Sequence, residues 1–382
     1  MDSSIDYGRH KPSLAEKLLS LNWGLVLLLM ALAGIGIAML YSAANGNWQP
    51  WAIKQGIRFG VAALIMLVVA LVDLRTWLRA AYGFYGVVLL LLIAVQLRGA
   101  IGMGAQRWID LGIIQIQPSE LMKIAAMMAL ARYFNGRAIE EIARPHRLIV
   151  PALIILVPAV LVLKQPDLGT ALMLLLSGGA MFFLAGVRLW QFGAVLGLGL
   201  GAAPVVWRFM RDYQKNRIYT FLDPENDPLG AGYHSLQSKI AIGSGGMTGK
   251  GFLMGTQSHL SFLPEKQTDF IFTMLAEEWG LIGGLALLGL YLLVLVYGYA
   301  IALRSRNQFG RLLALGITTN LFLYVFINTA MVMGLIPVVG VPLPLISYGG
   351  TAMLTVMFGF GLLMSVYIHR DARIGRFGGE GE

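Results

Sequence analysis

The amino-acid sequence predicts an all-α integral membrane protein with ten transmembrane helices, both termini cytoplasmic and a large extracytoplasmic loop between helices 7 and 8. The 382 residues are 57% hydrophobic and only 13% charged, which is too little charge to cover a soluble protein of this length. Ten apolar runs approach the roughly 20 residues that a helix needs to cross a bilayer. Lys and Arg gather in the short loops between alternate runs, as expected of segments that face the cytoplasm.

The same composition argues against several other classes of protein. The formal net charge of +9 is not concentrated in a basic cluster with interleaved aromatic residues, so nucleic acid is not an expected partner. The chain has no cysteine, which excludes disulfides and thiolate metal sites. Its five histidines are scattered, and a zinc site is not expected.

The ten predicted spans are distributed over the whole chain, near 22–43, 52–72, 80–97, 119–135, 148–163, 168–186, 191–208, 269–303, 311–335 and 351–368. The first run follows a basic leader with Arg9, Lys11 and Lys17. This run also fits a signal peptide, but the many spans after it favour a retained first helix. The predicted domains are an N-terminal tail (1–21), a membrane domain (22–368) and a C-terminal tail (369–382).

The distribution of basic residues sets the predicted orientation. With the N-terminus inside, 16 Lys and Arg fall on the inner side and 13 on the outer side, and 7 of the outer ones lie in the stretch 208–268. A segment this long is translocated largely regardless of its charge, so the informative comparison is 16 against 6. Both termini are therefore expected in the cytoplasm, and the loop over about 209–268 is expected outside.

The outer loop ends in an acidic residue at the start of the eighth span. Helix-like spacing over 233–242 is followed by a glycine-rich stretch over 243–251, and the loop closes with LPEKQTDF, residues 263–270. A carboxylate where water meets hydrocarbon is costly, and such residues usually serve chemistry or transport. Asp269 is therefore the main candidate for a catalytic residue, with capping of the eighth helix as the alternative.

Further charged residues lie on the same predicted face of the membrane. Lys54 and Arg58 share one face of the second helix because they are four residues apart. Glu120 and Lys123 are three apart at the start of the fourth helix and can form a pair. Contact with lipid phosphates and pairing at a helix end are the simpler explanations of these two sets.

Other candidates also have a structural alternative. Asp167 precedes the sixth span and fits a helix cap, and Trp108 fits an interfacial anchor as well as a platform for substrate. Glu277 and Glu278, two turns beyond Asp269, are assigned to hydrogen bonds with neighbouring helices. The gathering of acids and bases predicts an outward cavity for an anionic, lipid-linked substrate, in which bases hold a pyrophosphate and a carboxylate acts on a hydroxyl.

Six ordered motifs resemble those of one membrane protein family. They are GAQRW at 104–108, QPSELMK at 117–123, QPDLGT at 165–170, DPLGAGYH at 227–234, PEKQTDF at 264–270 and PLPLISYGG at 342–350. All six are similar to motifs of the SEDS family (shape, elongation, division and sporulation). The chain resembles the elongation-specific branch more than the division-specific branch, and the likeness extends from the first span to the last.

The resemblance implies a ten-helix enzyme of the bacterial inner membrane that polymerises lipid II into peptidoglycan glycan strands on the periplasmic side. It implies a class B penicillin-binding protein as crosslinking partner, with other membrane proteins of the elongation complex and membrane lipids as further contacts. The family's essential acid falls on Asp269, and its outer-face positions fall on Arg107, Trp108, Glu120 and Lys123. Four further motif positions are expected to contact substrate: Asp167, Glu265, Lys266 and Ser347.

The expected reaction is a single inverting displacement. The C4 hydroxyl of the acceptor's N-acetylglucosamine joins C1 of the donor's N-acetylmuramic acid, and undecaprenyl pyrophosphate leaves. Asp269 is the expected general base, and the pyrophosphate is neutralised by cations drawn from Arg107, Lys123, Lys54, Arg58 and Lys266. No cofactor is certain: a divalent cation could assist, but no ligand spacing is diagnostic of a metal site. A lipid flippase or transporter is the alternative, although no internal repeat is visible; a non-catalytic scaffold of the elongation complex is another.

Overall fold

A computed structural model of the chain describes most of the sequence. It covers residues 13–98, 100–102, 105–110, 115–142, 144–210, 212–223, 231–259, 266–372 and 374–375. Glu265 and most of the two terminal tails lie outside the described residues.

Helices occupy all ten segments that the sequence predicted to span a membrane. In chain order the helices are α1 (Leu14–Leu19), α2 (Trp23–Ala43), α3 (Ala52–Leu71), α4 (Leu74–Arg98), α5 (Pro118–Phe134), α6 (Ile139–Ile142), α7 (Ile149–Lys164), α8 (Leu168–Leu184), α9 (Leu189–Phe209), α10 (Asp212–Leu222), α11 (Ala231–Ser244), α12 (Thr256–His259), α13 (Ile271–Arg304), α14 (Gln308–Val332) and α15 (Gly350–Ile368). A 3-10 turn at Pro145–Leu148 precedes α7. The short helix expected near 233–242 corresponds to α11.

Within the described residues, seven helices are long and apolar enough to cross a membrane, judged by length and composition: α2, α3, α4, α7 with its preceding 3-10 turn, α13, α14 and α15. The apolar part of α9 and the whole of α8 are shorter. The 17-residue α5 carries Glu120 and Lys123, and these charges lower its hydropathy. The structure is thus a bundle of membrane-spanning helices. That α5, α8 and α9 also cross the membrane, which would make ten spans, stays a prediction.

The centre of the bundle is formed by α5, α14 and α15. Almost every residue of α5 from Pro118 to Ala131 is buried. About 72% of the apolar stretch of α14 and 67% of that of α15 is buried, against 22% for α4. By contrast, α9 exposes apolar side chains along most of its length, as expected of a helix bordered by lipid.

The connection between α4 and α5 departs from the all-α expectation. It forms a small antiparallel sheet in the order β1-β2-β3, from Ala100–Gly102, Ala105–Asp110 and Gln115–Ile116. Pairing between the strands provides hydrogen bonds for main-chain N–H and C=O groups that lie outside the helices. The Thr351 hydroxyl donates to the Gln115 carbonyl at 2.9 Å, which ties the sheet to the start of α15.

The helix that follows Asp269 is interrupted at Gly280. This residue has φ 65° and ψ −163°, a conformation that essentially only glycine adopts, and it separates a short first segment, 271–279, from the rest of α13. The neighbouring glycine-rich loop enters the break. Four main-chain hydrogen bonds of 2.9–3.1 Å cross between them: Lys250 to Glu277, Gly251 to Glu278, Leu281 to Gly246 and Ile282 to Met247.

Two buried carboxylates reinforce the break. Glu277 Oε1 accepts from Lys250 Nζ at 2.7 Å and from the Gln257 N–H at 2.8 Å, which anchors the loop. Ser42 Oγ, on α2, donates to Glu278 Oε1 at 2.5 Å. Both acids thus bind neighbouring segments, in agreement with their expected structural role, and these partners reduce the cost of burying them.

We expect Gly280→Ala to destabilise the fold by more than about 2 kcal/mol, because alanine is strained in this conformation. A Cβ there would also lie 2.3 Å from the Gly249 nitrogen. The measurement is thermal unfolding in detergent. Gly289→Ala, farther along α13, is the matched control: its Cβ meets nothing within 4 Å, so it should be neutral or stabilise by up to about 1 kcal/mol. Equal unfolding of the two variants would contradict this packing of the break.

Candidate functional site

Residues 266–270, the Asp269 turn, are held through their main chain by one loop and one helix. The loop is the strap, residues 333–349 between α14 and α15. Polar groups donate to three successive main-chain oxygens: Tyr348 N to Gln267 (2.8 Å), Ser347 Oγ to Thr268 (2.6 Å) and Asn328 Nδ2 to Asp269 (2.9 Å). The backbone that carries Asp269 is therefore fixed to the core of the bundle.

The side chain of Asp269 faces the strap. Its Oδ2 atom is 3.3 Å from the position that a Cβ would take at Gly340, and the residue is partly exposed. Gly340 has φ +73°, which favours glycine, so backbone borders the carboxylate at this point. Phe270 occupies the N-cap position of α13, which argues against helix capping as the role of Asp269.

Glu120, Lys123 and Tyr324 form a closed triangle inside the bundle. Lys123 Nζ donates to Glu120 Oε1 at 2.6 Å and to the Tyr324 hydroxyl, and this hydroxyl donates to Glu120 Oε2 at 2.7 Å. The pair predicted from the spacing of Glu120 and Lys123 is thus confirmed. Their exposed fractions are only 5% and 1%, and mutual pairing is what makes such buried charges tolerable.

The turn before α8 is organised by Asp167 and Arg107. Asp167 caps α8 by accepting from the Thr170 N–H (3.2 Å), and it accepts from Gln117 Nε2 at 3.1 Å. From β2, the guanidinium of Arg107 donates to the main-chain carbonyls of residues 165–166. The capping interpretation of Asp167 is confirmed, and a contact with substrate stays a prediction for both residues.

The strap also connects the start of α8 with the Asp269 turn. A Cβ at Gly169 would lie 2.4 Å from the Val339 carbonyl oxygen and 3.4 Å from that of Gly340. Gly340 in turn borders the carboxylate of Asp269. The motif around Asp167 and the motif around Asp269, far apart in sequence, therefore meet at one strap residue.

The first turns of α3 reach the strap as well. Gln55 Nε2 donates to the Ser347 carbonyl at 2.9 Å, and the Arg58 guanidinium lies 4.6 Å from the centre of the Tyr348 ring. Lys54, which shares the helix face of Arg58, is exposed. The two bases predicted as a set thus differ: Arg58 packs on the strap and Lys54 faces solvent or lipid headgroups.

Three other predicted contacts lie nearby. Lys266 is 8% exposed, and burial lowers the pKa of its ammonium; a bound anion would favour the charged form again. Trp108 is half-buried on β2, which suits an anchor and a platform equally. Ser347 Oγ accepts from the Leu343 N–H at 2.7 Å, so this hydroxyl supports the strap. Contact with substrate stays a prediction for all three.

A narrow cleft, with room for little more than a water molecule, lies between α14, α15 and the strap. Its lining residues are Tyr324, Pro342, Leu343, Pro344, Leu345, Ser347, Gly349, Ala352, Met353 and Val356. Tyr324 both lines the cleft and contacts the buried ion pair.

The amino-acid sequence matches the family described as cell cycle protein, FtsW/RodA/SpoVE, over residues 19–372. The chain belongs to the FtsW/RodA/SpoVE family. This is the SEDS family that the motifs resembled. A relative, peptidoglycan glycosyltransferase MrdB of Escherichia coli K12, is 46% identical over 349 residues, which cover 91% of this chain and 93% of MrdB.

Two solved structures share the fold of this SEDS protein. RodA of Thermus thermophilus, a rod shape determining protein, is 32% identical with a TM-score of 0.70, and the match covers 92% of this chain and 98% of RodA. A chain from a peptidoglycan synthase complex that coordinates polymerization and crosslinking is 34% identical with a TM-score of 0.80, covering 92% and 99%. Together with the seven apolar helices, these relatives make the chain a multi-pass membrane protein.

Four residues of this SEDS site were missed by the sequence analysis: Gln55, Tyr324, Asn328 and Tyr348. A signal was available on α14, where Asn320, Tyr324 and Asn328 recur every four residues in an apolar helix, the spacing of one helix face. Gln55 offered no such signal, because its partner is 292 residues away along the chain.

The cap formed by Asp167 gives a test of its two candidate roles. We expect Asp167→Asn to keep the thermal stability of the SEDS protein near wild type, because Asn and Asp cap helices equally well and the Gln117 amide can turn its oxygen toward the new N–H₂ group, and Asp167→Ala to lower it by about 1 kcal/mol. Thermal unfolding in detergent measures both. If Asp167→Asn is stable but inactive, the charge of Asp167 has a role beyond the cap. If Asp167→Asn loses as much thermal stability as Asp167→Ala, the capping geometry is contradicted.

Proposed function

We propose that this chain polymerises lipid II into peptidoglycan glycan strands during cell elongation, by an inverting transfer that releases undecaprenyl pyrophosphate. The observation that carries the proposal is the partly exposed Asp269 on a turn fixed by the strap and by α14. Lys123 is linked to the same α14 through Tyr324, and Arg107 is bound to the turn before α8. Such a transfer needs a group that accepts a proton and cations that stabilise a departing diphosphate. Its relative MrdB is a peptidoglycan glycosyltransferase.

Asp269 acts as the general base. It accepts the proton of the acceptor's C4 hydroxyl while the hydroxyl oxygen attacks C1 of the donor, opposite the pyrophosphate, so that the α linkage becomes β in one displacement. A general base must lie within about 3.2 Å of the proton's oxygen. The three hydrogen bonds to the Asp269 turn hold the carboxylate ready for this encounter.

The leaving pyrophosphate is held by cations around the strap. Lys123 supplies charge from inside the bundle, Arg107 from β2 and Arg58 from α3, with the exposed Lys54 and the buried Lys266 as further contacts. The first turns of α8 and α15 point toward the same region, and helix N-termini favour anions. This assignment is compatible with a divalent cation bound to the pyrophosphate. It assigns no protein residue as a ligand of that cation.

The site lies on the periplasmic side of the inner membrane in the ten-span topology. α3, α5, α8, α13 and α15 all begin at the end of the bundle that holds the site, and each of them runs inward from the outside in the orientation that the basic residues favour. The chain works with a class B penicillin-binding protein that crosslinks its product, and with other membrane proteins of the elongation complex. The synthase-complex relative supports this arrangement.

We expect Asp269→Asn to lower the rate of lipid II polymerisation by at least about 10²-fold, because general-base catalysis contributes about 10² to 10⁴. The measurement is glycan formation by the detergent-solubilised complex. Asp73→Asn is the matched control: Asp73 caps the start of α4 by accepting from the Arg75 N–H at 2.8 Å, a role that Asn also fills.

Polymer from the wild-type complex in detergent would exclude a flippase, which forms no product without a membrane. A near-wild-type rate for Asp269→Asn would overturn the base assignment, and it would favour a scaffold that relies on the activity of its partner.

We expect Lys123→Met to weaken lipid II binding by at least about 10-fold, since a charge-assisted contact is roughly twice as strong as a neutral one. The single variant leaves Glu120 buried without its cation, so Lys123→Met with Glu120→Gln serves as the charge-balanced control. The double variant should recover thermal stability but not affinity, measured by lipid II titration. Recovery of both would show that Lys123 acts only through folding.

A further inference from the structure

One buried face of α14 carries a row of polar side chains that contact both halves of the site. Asn320, Tyr324 and Asn328 are each four residues apart, and all three are at most 5% exposed. Polar side chains buried among apolar helices are costly unless they are paired, so their partners indicate what they do. Asn320 bonds outside the site, accepting from Ser177 Oγ at 3.0 Å.

Tyr324 contacts the cationic half. Its hydroxyl donates to Glu120 Oε2 and accepts from Lys123 Nζ, while its ring lies 4.3 Å from the same ammonium. Lys123 thus has its position set on two sides, by a carboxylate on its own helix and by Tyr324 from α14. Removal of the hydroxyl alone would leave the ion pair intact and its orientation less restricted.

Asn328 contacts the acidic half. Its Nδ2 donates to the main-chain oxygen of Asp269 at 2.9 Å and to that of Val341, in the strap, at 2.7 Å. Both acceptors are carbonyls, so the amide orientation follows from donor chemistry. One side chain therefore fastens the Asp269 turn and the strap to the same point of α14.

The two contacts are one helical turn apart, about 6 Å along the axis of α14. We propose that Tyr324 and Asn328 are positioning residues that make α14 the frame of the site, Tyr324 by setting Lys123 and Asn328 by setting Asp269. This inference rests on the proposed function, in which Lys123 binds the leaving pyrophosphate and Asp269 accepts the proton. The fixed spacing on α14 then keeps the base and the diphosphate site in register.

Asn328→Leu tests the acidic half. It removes the donor, and a misplacement of about 1 Å in a catalytic group can cost about 10²-fold in rate, so kcat for lipid II polymerisation should fall about 10- to 100-fold with little change in lipid II affinity. Asn320→Leu on the same face is the matched control, because it also removes a buried amide, and the bond of that amide goes to Ser177 on α8. It should lower thermal stability without this change in kcat.

Tyr324→Phe tests the cationic half. It keeps the ring and should weaken lipid II binding about 5- to 10-fold, because one hydrogen bond that orients a charged donor is lost. The control is Tyr85→Phe, which removes a comparable inter-helix hydrogen bond, from the Tyr85 hydroxyl to the Ile154 carbonyl at 3.0 Å. In a Lys123→Met background, Tyr324→Phe should cause less than about a 2-fold further loss, since contacting residues are non-additive.

All variants are measured in the solubilised complex, with lipid II titration and initial polymerisation rates. A wild-type complex that makes no glycan would overturn the proposed function. If the wild type is active, two results would overturn the positioning role of α14 and leave the proposed function standing. One is a kcat of Asn328→Leu equal to that of Asn320→Leu. The other is full additivity of the losses in lipid II affinity caused by Tyr324→Phe and Lys123→Met. If Asn328→Leu does not fold, Asn328→Ser replaces it: its single short O–H donor cannot serve both carbonyls, so it must show the same selective loss of kcat.

Discussion

Three hydrogen bonds to the main-chain oxygens of residues 267–269 are the constraint on which the rest of this site depends. The donors come from the strap and from α14, elements that lie far along the chain from the Asp269 turn. A carboxylate at the edge of a membrane must be partly exposed to react, yet it must hold one position. Fixing its backbone helps to meet both needs, because these three hydrogen bonds are accepted by main-chain oxygens and not by the carboxylate.

The other charged groups of the site are also held in place by the fold. Lys123 and Glu120 are buried and mutually paired, which keeps the desolvation cost of the ammonium acceptable. Arg107 and Asp167 are committed in part to the turn before α8. The positive charge of Lys123 is thus placed when the protein folds, and it would act on a leaving diphosphate from inside the bundle.

Much of this could be predicted from local patterns. Apolar runs gave all ten long helices, spacing gave the Glu120–Lys123 pair, and the position of Asp167 before an apolar run gave its cap. The break at Gly280, the small sheet and the roles of Tyr324 and Asn328 were missed. Each depends on contacts between distant segments: a glycine-rich loop entering α13, strands outside the helices, and a polar face of α14 whose partners lie on α5 and in the strap. Periodicity reports which face is buried, not which segment buries it.

The most direct test of the account is an experimental structure of the Asp269→Asn chain, in the proposed complex with a penicillin-binding protein, trapped with lipid II in both subsites. The account predicts the acceptor's C4 hydroxyl within about 3.2 Å of the residue 269 side chain, with the donor's pyrophosphate against Lys123 and Arg107. A C4 hydroxyl bound to a different acidic side chain, with the Asp269 turn still held by the strap, would contradict it.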